Sequence, residues 1–345
     1  MLDGKKILLF SLLTFNYEKL IAEKLRSFGA IVDFYDERPT NSLFTKAIIR
    51  LKRDFYQKRI DKYYKSILKD IATVNYDFLF VITGEVIPEF FLQKFKQKNP
   101  ECFCIYYTWD SFTNCSHPLS ILNYFDKCFT FDLDDAKKYN LNFRPLFFAD
   151  QFGELRIENN EKYKYNLLFV GTAHSDRYRV ANTIVNWCEI EQYSYFAYYF
   201  IQSRFVFLYK RIFDPTFKKI NYFELKYKSL GFDEVLELFR TSEVVLDINH
   251  PNQNGLTMRT FEALGAGKKL ITTNNAIKMY SFYNENNVFV IDRDKPTVVK
   301  DFFETPFIPI IDSLKFNMSL FGWINELFLN ESDYSEWIID NYDIL

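Results

Sequence analysis

The chain has 345 residues, of which 48% are apolar and 26% charged, with a formal net charge of -2. A length above the usual size of one core predicts two domains of about 150 residues each. The near-neutral balance excludes a dedicated nucleic-acid binder, whose domain would be strongly basic.

In chain order, the run Ile7 to Leu13 is too short to span a bilayer and lacks a signal-peptide cleavage pattern. It leads straight into a helical period, so it reads as a first strand, and the protein is expected in the cytoplasm. Further strands are expected at Ile31 to Tyr35, Phe78 to Thr83, Phe103 to Thr108 and Lys127 to Phe131. Helices are expected between them at Tyr17 to Phe28, Ser42 to Ala72, Glu89 to Gln97 and Pro118 to Phe125. Near-continuous apolar strands alternating with helices predict an α/β fold with a parallel sheet covered on both faces.

The polar stretch Glu154 to Lys164 reads as a linker, after which the pattern restarts with a strand at Tyr165 to Gly171. A helix around Arg179 to Trp187 follows, then an aromatic-rich region from Tyr193 to Tyr227, a helix Phe232 to Arg240 and a strand Val244 to Ile248. A strand at Asn287 to Ile291 and a helix near Thr297 to Phe303 complete a second α/β unit. The expected domains are 1–155 and 163–312, with the C-terminal helices of 313–345 packing back on the first. Two such units in series predict a cleft between sheet edges.

Five cysteines at irregular spacing, Cys102, Cys104, Cys115, Cys128 and Cys188, form no zinc pattern and fit free thiols in a reducing compartment. No Asp-x-Asp motif or histidine cluster offers a metal set.

Two stretches carry the chemistry. After the strand Val244 to Ile248 comes a polar loop, a short helix with one acid, Glu262, a glycine stop and a new strand. Loops at the carboxyl ends of parallel strands are where α/β sheets bind ligands. In the second stretch, Gly171 ends a strand and permits a tight turn. Thr172, Ser175, Arg177 and Arg179 then stand at the start of a helix, where backbone amides and the dipole favour phosphate.

The run Arg259-Thr260-Phe261-Glu262-Ala263-Leu264-Gly265-Ala266-Gly267 followed by a strand resembles the sugar-nucleotide signature of GT-B glycosyltransferases. The likeness is to the group-one transferases of bacterial surface-polysaccharide synthesis (capsule, O-antigen, exopolysaccharide). It implies two Rossmann-like domains whose parallel sheets face across a cleft. It also implies that Glu262 accepts hydrogen bonds from the ribose hydroxyls of a nucleotide-sugar donor, a charge-assisted pair. The Gly171 to Arg179 stretch is similar to the family's first loop of the nucleotide domain, which meets the donor diphosphate. Arg259, Thr257 and His250 are expected beside that diphosphate. Many retaining members have a second glutamate eight positions before the first, where this chain has Asn254, so a role there cannot rest on charge. Lys268 and Lys269 are expected to decorate the turn before the next strand.

Acceptor recognition and the general base are expected in the first domain, where Asp110 and then Glu85 end expected strands. The resemblance implies sugar transfer to a glycan or lipid-linked glycan, with no metal or other cofactor. The segments Lys46 to Lys69 and Arg204 to Lys228 mix bases with aromatics, a composition that suits contact with the inner face of the membrane. The competing reading is a non-catalytic nucleotide- or sugar-binding protein with the same fold. A dehydrogenase does not fit, because Ser11 to Asn16 lacks Gly-x-Gly-x-x-Gly after the first strand.

Overall fold

The computed structural model describes residues 1–14, 16–41, 56–155, 162–251, 253–329 and 337–339. They divide into two compact units, Met1–Pro145 with Ile324–Ser332, and Leu146–Trp323 with Asp333–Leu345.

The first unit is built on six strands: β1 (Lys6–Ser11), β2 (Ile31–Asp36), β3 (Phe78–Ile82), β4 (Phe103–Thr108), β5 (Lys127–Thr130) and β6 (Asn142–Phe143). They lie in the order β2-β1-β3-β4-β5-β6, every pair parallel. The reason is legible in the strands: Ile7 to Phe10, Leu79 to Ile82 and Cys104 to Tyr107 are fully buried, so both sheet faces are covered. Aromatic rings fill much of the core. Phe10 meets Phe91 edge-on with centroids 5.3 Å apart, and Tyr64 meets Phe91 at 5.1 Å. Within this unit the helix end after Ile324 is held by Glu326, which pairs with the buried Arg144 (2.6 Å), and by Phe328 against Phe78 and Phe80.

The second unit has β7 (Tyr165–Thr172), β8 (Tyr195–Phe200), β9 (Leu225–Lys226), β10 (Ser242–Asp247), β11 (Lys269–Thr272) and β12 (Val288–Val290). The order is β12-β11-β10-β7-β8-β9, again all parallel. Three strands run to one side from β7 and three to the other from β10. The two halves meet between β7 and β10, and the crevice beyond their carboxyl ends is where such sheets bind ligands. In the first unit the corresponding place lies between β1 and β3.

Several expectations change. Pro118 to Phe125 is not one α-helix but two short 3-10 turns, His117–Ser120 and Leu122–Tyr124, interrupted at Ile121. The region Tyr193 to Tyr227 holds β8, the helix Arg204–Phe213 and β9. The helix expected from Ser42 is Gln57–Asp70, and residues 42–55 lie outside the described residues, as do 156–161 of the expected linker. The helix after β7 is Arg177–Ile190, which makes Arg177 its first residue.

Lys268 and Lys269 are not turn decoration. Both are buried. Lys268 Nζ donates to the carbonyl of Arg240 at 3.2 Å, at the end of the helix Phe232–Arg240. Lys269 Nζ donates to the carbonyls of Phe302 and Thr305 at the end of the helix Lys300–Glu304. Each cation caps the negative end of a helix, and burial pulls the Lys268 amine down to about 8.

Candidate functional site

The crevice between β7 and β10 is bordered by two loops, each leading into a helix. After β7, residues Ala173 to Asp176 turn through Ser175, which sits at φ 48, into the helix Arg177–Ile190. A Cβ on Gly171 would stand 2.8 Å from the Phe169 ring and 3.5 Å from Arg177 Cδ, so the missing side chain is what lets these two lie side by side. Arg177 Nε is buried and makes no hydrogen bond among the described residues. Burial lowers its basicity, Asp247 and Asp176 oppose that, and Arg293 and Arg259 reinforce it.

After β10, Asp247 Oδ2 accepts from the hydroxyls of Thr257 (2.7 Å) and Thr260 (3.0 Å). These bonds draw the first turn of the helix Met258–Gly265 back onto the strand that precedes it. Inside that helix Arg259 Nη1 pairs with Glu262 Oε2 at 2.7 Å, and the Arg259 guanidinium lies over the Phe239 ring. Burial pushes the Glu262 carboxyl up to about 8, while the guanidinium at its side favours the carboxylate. Gly265 ends the helix against the Phe148 ring, and the left-handed turn is made by Gly267 at φ 65.

Past β12 the chain adds Arg293, which donates to Asp176 Oδ1 (2.7 Å), the Asn249 carbonyl (2.8 Å) and Thr273 Oγ1 (3.1 Å). Arg179 binds the other side of Asp176 at 3.3 Å and the Arg293 carbonyl at 2.9 Å. His174 and His250 face one another with ring centroids 5.8 Å apart. Burial, and after it Arg177, push His174 down to about 3, so its imidazole is neutral at pH 7. The carboxylates of Asp176, Asp247 and Glu262 are thus engaged by Arg293 and Arg179, by two threonines and by Arg259. The Arg177 side chain keeps unused hydrogen-bonding capacity at a helix start, which is a setting for an anion.

Residues 219–304 match a protein-family profile described as glycosyl transferase-like. No curated protein matches the chain. Among solved structures, an alpha-glucosyltransferase in complex with UDP and a 13-mer DNA aligns over 88% of this chain and 89% of that one, at 12% identity and a TM-score of 0.57. A glycosyltransferase from Rickettsia africae ESF-5 aligns over 94% and 97%, at 13% identity and a TM-score of 0.54. The fold is GT-B. Together with the family match, it supports a glycosyltransferase.

Set within the GT-B fold, the residues expected at the donor fall at the ends of β7 and β10. Gly171, Thr172, Ser175, Arg177 and Arg179 belong to the first loop and helix; His250, Asn254, Thr257, Arg259 and Glu262 belong to the second. Arg179 and Thr257 are tied to aspartates, and Asn254 is exposed, its carbonyl accepting from Asn274 at 3.0 Å. Sequence reasoning missed Arg293 and Asp247. Asp247 stood out only as a polar residue ending an apolar strand, and Arg293 carried no local signal.

In the first unit, Asp110 Oδ1 accepts from the Ser111 amide and the Asn114 side chain, both at 3.0 Å. Glu85 is paired with Arg38, Nε to Oε2 at 2.6 Å. Glu37, which sequence reasoning passed over, is fully buried beside them and accepts from the amides of Gly84 and Glu85, each at 2.8 Å. Those bonds hold Thr83 (φ 90) and Gly84 (φ 71) in left-handed conformations just past β3. Burial pushes the Glu37 carboxyl up to about 8. Among the described residues no group of His, Cys, Asp and Glu could hold a metal ion, and no helix is long and apolar enough to cross a membrane.

Proposed function

We propose that the chain transfers a sugar from a nucleotide-sugar donor to a glycan or lipid-linked glycan in bacterial surface-polysaccharide synthesis, working at the inner face of the membrane. The observation that carries this reading is the Arg177 guanidinium, whose buried Nε is unpartnered, at the crevice between β7 and β10. Glu262 lies one loop away, within the family-matched segment. In this reading Arg177 and the amides at its helix start take the diphosphate, and Glu262 takes the ribose hydroxyls. As the donor's glycosidic bond breaks, negative charge collects on the leaving diphosphate, and a fixed guanidinium stabilises it without a metal.

For the acceptor proton, Asp110 is the better candidate base. Asp110 Oδ1 accepts only from neutral donors, the Ser111 amide and the Asn114 side chain, whereas Glu85 is held in an ion pair by Arg38. The test is a thermal-shift screen with UDP, GDP, CMP and dTDP, because a ligand that binds only the folded state raises its midpoint. One of the four is expected to raise it in the wild type and to do so less in Arg177→Ala. If none moves the transition, the donor site is wrongly assigned.

A further inference from the structure

The helix Arg204–Phe213 reverses the usual pattern of a surface helix. Ser203 caps its start by accepting from the Val206 amide at 3.2 Å. Phe207 turns inward and is buried, with its ring 5.6 Å from that of Tyr222. The outward face then carries Phe205, Leu208, Tyr209, Ile212 and Phe213, which at i, i+3, i+4, i+7 and i+8 form one continuous stripe. All five are exposed, Phe205 by 86% and Phe213 by 68%, and the nearby Phe223 is exposed by 87%. An apolar patch of this kind with a polar rim marks an interaction surface.

The rim says what it meets. Residues 204–219 hold Arg204, Lys210, Arg211, Lys218 and Lys219 against one acid, Asp214, in a chain whose net charge is -2. The charged heads of Arg204, Lys210 and Arg211 lie over the rings of Tyr227, Phe217 and Phe207, 5.6, 4.8 and 5.7 Å from the centroids. A symmetric second copy would set these bases against themselves. An anionic headgroup layer over an apolar interior complements both parts of the surface.

We propose that the outward face of Arg204–Phe213 docks on an anionic phospholipid bilayer, with Phe205, Leu208, Ile212 and Phe213 entering the interface and the basic rim on the headgroups. The helix follows the carboxyl end of β8, next to β7, which places this surface at the same end of the sheet as the donor residues. The proposal gives a surface to the membrane association put forward above and rests on that part of the reading alone.

The test is co-sedimentation of the full chain with vesicles of POPC or of a POPC/POPG mixture. Binding to the mixture is expected to be roughly tenfold tighter or more, and to weaken with salt. The combined variant Phe205→Ser, Ile212→Ser and Phe213→Ser should lose vesicle binding and keep its thermal midpoint, since these side chains are exposed. Arg204→Glu with Arg211→Glu should lose the preference for POPG. Wild-type protein left in the supernatant, or a serine variant that binds like wild type, overturns the proposal. So does a wild-type dimer that the serine variant turns into a monomer, which would make the face an interface between copies. Loss of the nucleotide-induced shift with vesicle binding intact would overturn the donor site and leave this surface standing.

Discussion

Arg293 reaches Asp176 across 117 residues of sequence, Nη1 to Oδ1 at 2.7 Å. Through its other nitrogen it also holds Asn249 and Thr273, so one side chain joins the loops after β7, β10, β11 and β12. Arg293→Ala should therefore lower unfolding stability by about 1–3 kcal/mol, as for loss of a partly buried charged hydrogen-bond network. Urea unfolding measures it. Arg293→Lys should recover only part, because an ammonium lacks the fork that spans these acceptors.

Arg177→Ala should separate binding from folding. Removing a partly buried guanidinium whose Nε is buried without a partner leaves the thermal midpoint unchanged or raises it. Affinity for the nucleoside diphosphate should fall about 10- to 100-fold, the range for a lost charge-assisted bond. Calorimetric titration of both proteins decides it, and equal affinities would count against a phosphate role for Arg177.

Asp110→Asn should cut sugar transfer by about 100- to 10,000-fold and leave nucleotide affinity as it was, the pattern of a lost general base. Glu85→Gln instead leaves Arg38 buried without its partner, so it should lower the thermal midpoint. Comparing turnover, affinity and midpoint in the two variants distinguishes a base from a structural ion pair.

Glu37 makes a prediction about pH. Its carboxyl is raised from the ordinary 4.5 to about 8 by burial, with Glu85 adding to it. The folded state therefore holds a proton that the unfolded state has released. The stability it contributes is full below about pH 4.5 and is lost as pH rises through 8, with a slope approaching about 1.4 kcal/mol per pH unit between them. Glu37→Gln should flatten that part of the profile in urea unfolding series taken from pH 5 to 8.5, and an unchanged slope would remove Glu37 as its source.

Gly265→Ala should destabilise by about 1–3 kcal/mol, because the new methyl collides with the Phe148 ring. Phe148 cannot easily retreat. It is buried, and its backbone bonds Met318 and Leu320 on both sides. Phe148→Ala in the same background should relieve the clash, giving a non-additive double-mutant cycle.

The fold class was legible because buried parallel strands are apolar throughout. Phe103–Thr108 and Phe232–Arg240 fall where their composition puts them. The two-residue strands β6 and β9 are too short to show a period. β8 was hidden because five of its six residues are only half-buried, so Tyr195–Phe200 shows no alternation. For the site, the sequence pointed to the two loops and to Glu262. It could not reveal the contacts that organise them, since Arg293 finds Asp176, and Glu37 finds Gly84 47 residues on, only once the sheets form.

The Gly265 contact also bears on how variants of this chain should be interpreted. Gly265 stands three residues after Glu262 and inside the same recognisable motif, yet what it touches is Phe148. An activity screen alone would score a Gly265 variant as a donor-site defect. Abundance measured alongside turnover would show the two falling together at Gly265 and parting company at Arg177, so lost turnover at Gly265 would report on the folding of the chain.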